Sequence, residues 1–145
     1  MYRLPVVRST AWKGNLYSAL WQLGHDKQDD KQMQHLFGEI RGEKSGHAGR
    51  LYFYPTFITH TGLEIINPHD RKRRVGKNPI LFEYVPAGPQ GIFSLLYVPF
   101  DLIGQDEAEI KRQGLDDLQR VAEGLQSMFL TYCPVGRTQE VHHEP

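Results

Sequence analysis

Residues 50–58, RLYFYPTFI, decide how this chain is read. Leu51 and Phe53 alternate with Tyr52 and Tyr54, the period of an extended strand with two different faces. Pro55 has no N–H to give a central ladder, so the strand bends there or lies at a sheet edge. Leu51 and Phe53 face a core. Tyr52 and Tyr54 face either covering helices or an open surface on which bases could stack.

Outward from this strand the extended character continues. GLEII (62–66) is a short second run. ILFEYV (80–85) and GIFSLLYVPF (91–100) flank PAGPQG, whose Pro and Gly content suits a hairpin turn. Upstream, STAWKGNLYSALWQLG (9–24) places Trp12, Leu16, Ala19, Leu20 and Leu23 on one helical face. Ser9 or Thr10 is expected to cap that helix, and Gly24 suits the left-handed position that ends it. Gly14 costs about 1 kcal/mol relative to Ala inside a helix, which suggests a close approach near the first turn.

Between helix and strand, HDKQDDKQMQHLFG (25–38) reads as a polar loop ending in a turn of helix at Leu36 and Phe37. EIRGEKSGHAGR (39–50) reads as an exposed connection. The longest helical pattern covers 106–131, with Ile110, Leu115, Leu118, Val121, Ala122, Leu125, Met128 and Phe129 as one apolar stripe. Asp106, Glu107 and Glu109 crowd its first turn, where the helix dipole favours negative charge. Helix, strands, then helix predict an α+β domain with an antiparallel sheet.

Composition bounds the function. The chain has 145 residues, 17 Lys+Arg against 17 Asp+Glu, 39% hydrophobic and 11% aromatic residues. That is enough for one core and excludes a generally polycationic binder. The single cysteine, Cys133, builds no disulfide framework and fits a reducing compartment. No apolar run approaches the roughly 18 residues of a membrane span, and the N-terminus lacks a secretory signal pattern. A cytoplasmic protein that is not bound to a membrane is expected.

Charge is nevertheless concentrated at IINPHDRKRRVGKNPI (65–80), where Arg71, Lys72, Arg73, Arg74 and Lys77 stand between two apolar runs. Such a loop either keeps the surface solvated or pairs with phosphates, releasing counterions as it does so. Asn67–Pro68 and Asn78–Pro79 bracket it, which holds both ends and favours binding.

Other chemistry is weaker. Neither His60 with His69 nor Cys133 with His142 and His143 has a recurrent zinc spacing, so no metal site and no cofactor are expected. No strained-turn motif surrounds any serine. Asp26, Asp29 and Asp30, interleaved with Lys27 and Lys31, read as a solvated loop. His60 or His69 could serve as a general base near RNA.

Four segments in order carry a family resemblance. RLPVVRSTAWKGNLYSAL (3–20) resembles the helix start of the RAMP superfamily of CRISPR-associated proteins. LFG (36–38) and GRLYFYPTFI (49–58) are similar to that family's glycine–arginine–leucine strand. INPHDRKRRVGKNPILFEYVPAG (66–88) resembles its variable loop, and GIFSLLYVPF with the long helix follows in the family's order.

The resemblance implies a ferredoxin-like, RNA-recognition-motif-type antiparallel sheet packed with helices. It also implies a guide-RNA-binding, backbone-type subunit of a type III effector complex, partnered by guide RNA, target RNA and other effector subunits. Carried over by position, Ser9, Thr10, Lys13 and Gly14 match the phosphate-contacting helix start. Arg50 matches the glycine–arginine–leucine position. Arg71, Lys72, Arg73, Arg74, Lys77 and Asn78 match the loop that reaches RNA.

Departures qualify the expectation. Tyr17 stands where the family often has arginine, and Arg8 replaces a glycine. The family's first strand and cleavage-aspartate loop are not matched, so residues 1–145 are expected as a single RAMP-type domain, partial at both ends, with 133–145 as a tail. RNA holding without cleavage is then expected. The alternatives are a RAMP-type endoribonuclease processing guide precursors and a protein-interaction module without RNA binding.

Overall fold

Pro55 divides the strand expected over 50–58. The computed structural model describes residues 5–25, 30–38, 46–70, 75–76, 79–86, 88 and 90–131. Within them, Val6–Val7 (β1) leads into helix Ser9–Gln22 (α1), followed by helix Lys31–Phe37 (α2). The divided strand is Leu51–Phe53 (β2) and Thr56–Phe57 (β3). Then come Gly62–Ile66 (β4), His69–Asp70 (β5), Val75–Gly76 (β6), Ile80–Tyr84 (β7) and Leu95–Tyr97 (β8). A 3₁₀ turn at Phe100–Leu102 precedes the long helix Glu107–Gln126 (α3), which closes in a π-helical turn, Ser127–Thr131.

The fold is α+β, and every described strand pair is antiparallel. β1 pairs with β3, β2 with β8, β4 with β7 and β5 with β6, so the described strands form four two-stranded antiparallel ladders. The hairpin expected around PAGPQG is not formed. β7 instead returns along β4, from Gly62↔Tyr84 to Ile66↔Ile80, and β8 crosses to β2. The reason is the apolar match: Leu95 and Tyr97 complete the buried side of β2, whereas 80–84 continues the arm that begins at 62. Between β4 and β7, β5 pairs with β6 in a short antiparallel ladder, His69↔Gly76 and Asp70↔Val75.

The core lies where α1 and α2 meet β2 and α3. Trp12, Leu16, Leu20, Met33, Leu36, Leu51, Val121 and Met128 are buried together. Tyr17 packs edge-on against Phe37, with ring centroids 5.4 Å apart, so this position serves the core rather than a polar contact. Trp12 donates from Nε1 to Thr56 Oγ1 at 2.9 Å, and that hydroxyl donates to the Ile92 carbonyl at 3.0 Å, which satisfies both polar groups inside the apolar layer. Tyr52 and Tyr54 are exposed, so the covered alternative for that face is excluded.

Three local readings change. Neither Ser9 nor Thr10 caps α1, because both are already helical; the N-cap is Arg8, which makes no side-chain cap bond. α2 is two full turns, since Asp30 caps it by accepting from the N–H groups of Gln32 (2.9 Å) and Met33 (3.4 Å). Gly24 does end α1 region in the left-handed conformation, at φ 94°.

The largest change concerns α3. Its buried positions are Asp117, Val121 and Gly124, with Met128 following, while Leu115 and Leu118 are 60% and 51% exposed. The helix is rotated away from the expected stripe by close packing. A Cβ at Gly124 would lie 2.8 Å from both Leu16 Cδ1 and Leu20 Cγ, so α1 approaches α3 at a position where only glycine fits.

Gly124→Val is therefore expected to destabilise the fold by about 1–3 kcal/mol through overpacking. Leu118→Ala, on the outward face, should change stability by no more than about 0.5 kcal/mol. Urea denaturation of the two variants measures the contrast, and equal effects would contradict the assigned helix face.

Candidate nucleic-acid interface

Arg50 is the position where the structure departs most from expectation. Its side chain is 2% exposed, so it presents no guanidinium to a phosphate at the surface. Nε donates to Asp101 Oδ1 at 2.9 Å, Nη2 also bonds Asp101, and Nη1 reaches Asp117 Oδ2 at 2.6 Å. Gln113 Oε1 accepts from Nη2 at 3.0 Å. Asp117 is completed by the Tyr97 hydroxyl at 2.7 Å and by Gln32 Nε2 at 3.0 Å. Among the described residues no buried side-chain N or O atom lacks a partner.

The glycines before Arg50 explain how it arrives there. Gly38, at φ 77°, and Gly49 cross at backbone contact: a Cβ on Gly49 would lie 2.5 Å from the Phe37 carbonyl carbon. Arg50 N–H then donates to the His35 carbonyl at 2.9 Å, and Val98 N–H donates to the Arg50 carbonyl at 2.8 Å. The glycine–arginine–leucine stretch is thus a close crossing, a buried cation and a core residue in succession. Its requirement here is structural.

The electrostatics follow from this enclosure. Burial opposes the Arg50 charge, but the bonds and charges of Asp101 and Asp117 outweigh it and raise its pKa. The bond from Arg50, together with its charge, holds the Asp101 carboxyl below its usual 3.8. Burial, then the bond and charge of Asp117, push the Tyr97 phenol from 10.0 to about 12. Asp30 is paired with Arg120 at 2.6 Å. Burial raises its pKa, yet the Arg120 pair and the α2 N–H groups together bring it below 3.8. Asp30 is a cap and an ion-pair partner; Asp26 and Asp29 lie outside the described residues.

The helix start is arranged differently. Thr10, Lys13 and Gly14 are exposed and Ser9 is half-buried, and α1 has no acidic residue in its first turn. Ala11 and Trp12 donate to the Arg8 carbonyl, while helix geometry leaves the N–H groups of Ser9 and Thr10 without intrahelical acceptors. A Cβ at Gly14 would meet nothing within 4 Å. No neighbouring described residue requires the glycine, and the surface over it is open. Lys13 Nζ donates to the Phe37 carbonyl at 2.8 Å, at the C-terminal end of α2 where the dipole favours a cation.

Thr10 also lines a groove of about 800 Å³ between α1, β1, the end of β3 and β7. Arg8, Ala11 and Asn15 join it on the helix side, and Phe82, Glu83 and Tyr84 on the strand side. Sequence reasoning missed Asn15, Phe82 and Tyr84. The only available signal was the alternation in LFEYV, which does not show which neighbour the strand meets. Arg71, Lys72, Arg73, Arg74, Lys77 and Asn78 lie outside the described residues. In sequence they stand between β5, β6 and β7.

The remaining candidates are dispersed. His60 is exposed, with Nδ1 3.4 Å from the Thr59 hydroxyl, and His69 is in β5. Cys133, His142 and His143 lie outside the described residues. Among those described, no three His, Cys, Asp or Glu side chains gather as a metal site needs. No described helix is long and apolar enough to cross a membrane.

No family model matches the chain, and no curated protein matches it. Among solved structures, the chain is similar to one described as a CRISPR RNA-guided surveillance complex. Identity is 17% and the TM-score 0.48, over 86% of this chain and 46% of that one. The chain therefore spans under half the length of that protein. The likeness is one of partial backbone overlap and assigns no activity.

Replacing Arg50 with Leu leaves Asp117 buried beside a lost cation and is expected to cost about 3–5 kcal/mol, read by urea denaturation. Arg50→Lys should recover little, because one ammonium cannot serve two carboxylates in fork geometry. Acid adds a second measurement. The Asp101 and Asp30 contributions are fully present above the ordinary carboxylate pKa and are lost as pH falls through the depressed values. The melting temperature should drop below about pH 4, and less steeply in Asp101→Asn. At the alkaline end, the Tyr97 contribution is present below pH 10.0 and lost as pH rises toward about 12, an effect absent in Tyr97→Phe.

Proposed function

We propose that this chain is a guide-RNA-binding subunit of a type III CRISPR effector complex, holding the RNA backbone rather than cutting it. The observation that carries the reading is the groove. Arg8, Thr10 and Asn15 line it from the α1 start, and Phe82, Glu83 and Tyr84 line it from β7; both belong to segments that resemble the RNA-contacting parts of the RAMP superfamily.

The chemistry is consistent along that path. First-turn N–H groups and the Thr10 hydroxyl are donors suited to a phosphate, Arg8 adds a cation, and no first-turn acid opposes them. Gly14 lets a sugar–phosphate chain approach the helix without meeting a side chain. The basic residues Arg71 to Arg74 and Lys77 stand in sequence between β4 and β7, and their guanidinium and ammonium groups are of the kind that pairs with phosphates. Base pairing with the guide would then carry sequence recognition. Arg50 is withdrawn from this set, since its pairing is internal. In this reading the chain is one domain that works beside other effector subunits, with guide and target RNA as ligands.

The test is RNA binding against salt. Changing Arg71, Lys72, Arg73 and Arg74 together to Ala should weaken binding to single-stranded RNA. The slope of log K against log salt should flatten by up to about 3 if all four meet phosphates. Unchanged affinity and slope at the same salt would remove the loop from the interface. Retention of an acidic protein partner with no RNA binding would favour the interaction-module reading instead.

A further inference from the structure

The groove contains more than a phosphate site requires. Its helix side is polar, with Arg8, Thr10 and Asn15, while Phe82 and Tyr84, which share one face of β7, line its strand side. The groove, of about 800 Å³, is open rather than enclosed, a shape that can admit one unit of a longer chain.

Tyr84 is held in place by a missing side chain. It pairs across the hairpin with Gly62, and a Cβ there would lie 2.7 Å from Tyr84 Cε1 and 2.9 Å from Cζ. The ring occupies the space a side chain at 62 would fill. It is backed by the β4 backbone and lines the groove with little conformational freedom left to lose on binding.

Resting on the reading of this surface as an RNA interface, we infer that the groove between α1 and β7 receives a nucleobase, stacked on Tyr84. Charge fixes the orientation. A nucleotide with its phosphate toward Arg8 and its base against the Tyr84 ring places the anion beside the cation. Stacking on an aromatic ring is tolerant of base identity, so a subunit that holds guides of any sequence can use it. Gly62 is a positioning residue that acts through the Tyr84 ring.

The test compares a short labelled single-stranded RNA with the same RNA carrying abasic positions, by fluorescence anisotropy at fixed salt. The parent should prefer the intact strand. Tyr84→Ala should weaken intact RNA roughly 5- to 100-fold and abolish the preference, while Tyr84→Phe keeps it. Gly62→Ala, which displaces the ring without removing it, should also reduce the preference, and it serves in place of Tyr84→Ala if circular dichroism shows that variant misfolded. Equal binding of intact and abasic RNA by the parent, or a preference that survives Tyr84→Ala, would overturn the nucleobase site and leave the backbone-holding reading intact. Failure of the parent to bind either RNA would overturn both. Tyr84-dependent binding of nucleoside monophosphates as tight as that of RNA would assign the site to free nucleotides and overturn its RNA source.

Discussion

The rest of this structure depends on the burial of one guanidinium. A buried cation without partners costs far more than a small domain can spare, so Arg50 dictates where its neighbours stand. Asp101 comes from the 3₁₀ turn, Asp117 and Gln113 from α3, and Tyr97 from β8. Gln32 of α2 meets the same Asp117 carboxylate. Four elements, the 3₁₀ turn, α3, β8 and α2, are thereby tied directly or through Asp117 to one side chain, whose own backbone bonds α2 on one side and the end of β8 on the other. Such a network adds little net stability over an apolar core, but it permits few alternative registers.

That constraint sets the orientation of α3. Asp117 must face Arg50, and one helical face then brings Val121, Gly124 and Met128 inward with it. Gly124 allows α1 to close on this face, and Trp12, Phe93 and Phe129 complete the end of the interface with ring centroids 5.1–6.0 Å apart. The apolar residues left outside, Leu115 and Leu118, are consequences of this choice. The β4–β7 hairpin stands apart from the network: Leu63, Ile65 and Leu81 are exposed on it, and a two-stranded ladder is marginal alone in water. Beside α1 and β1 it forms one wall of the groove.

The division of labour within the glycine–arginine–leucine stretch matters for function. A motif position that resembles an RNA contact is filled here by a residue whose surroundings leave it no outward role. The groove-lining residues have the opposite character. Thr10 is exposed, and Tyr84 is set by a glycine across the ladder. Rigid placement of surface aromatics and free helix-end donors are the features that make a recognition surface efficient, because they reduce the ordering cost of binding.

Some of this was legible without coordinates. The α+β class followed from the period change between 9–24 and 50–58, and the break at Pro55 followed from its missing N–H. Gly24 as a helix end and the acid-rich start of α3 were local matters of backbone and dipole, and local chemistry decides such features. The pairing of β7 with β4, the rotation of α3 and the fate of Arg50 were of another kind. Hydropathy counts Leu115 and Leu118 as core and Asp117 and Gly124 as surface, because it prices each side chain alone. The structure reverses them, since a buried cation needs a carboxylate and a close helix crossing needs a glycine. Sequence determined which segments are helix and which are strand; only the tertiary contacts decided which faces are buried, because burial of a charge or a glycine is set by the partner across the interface.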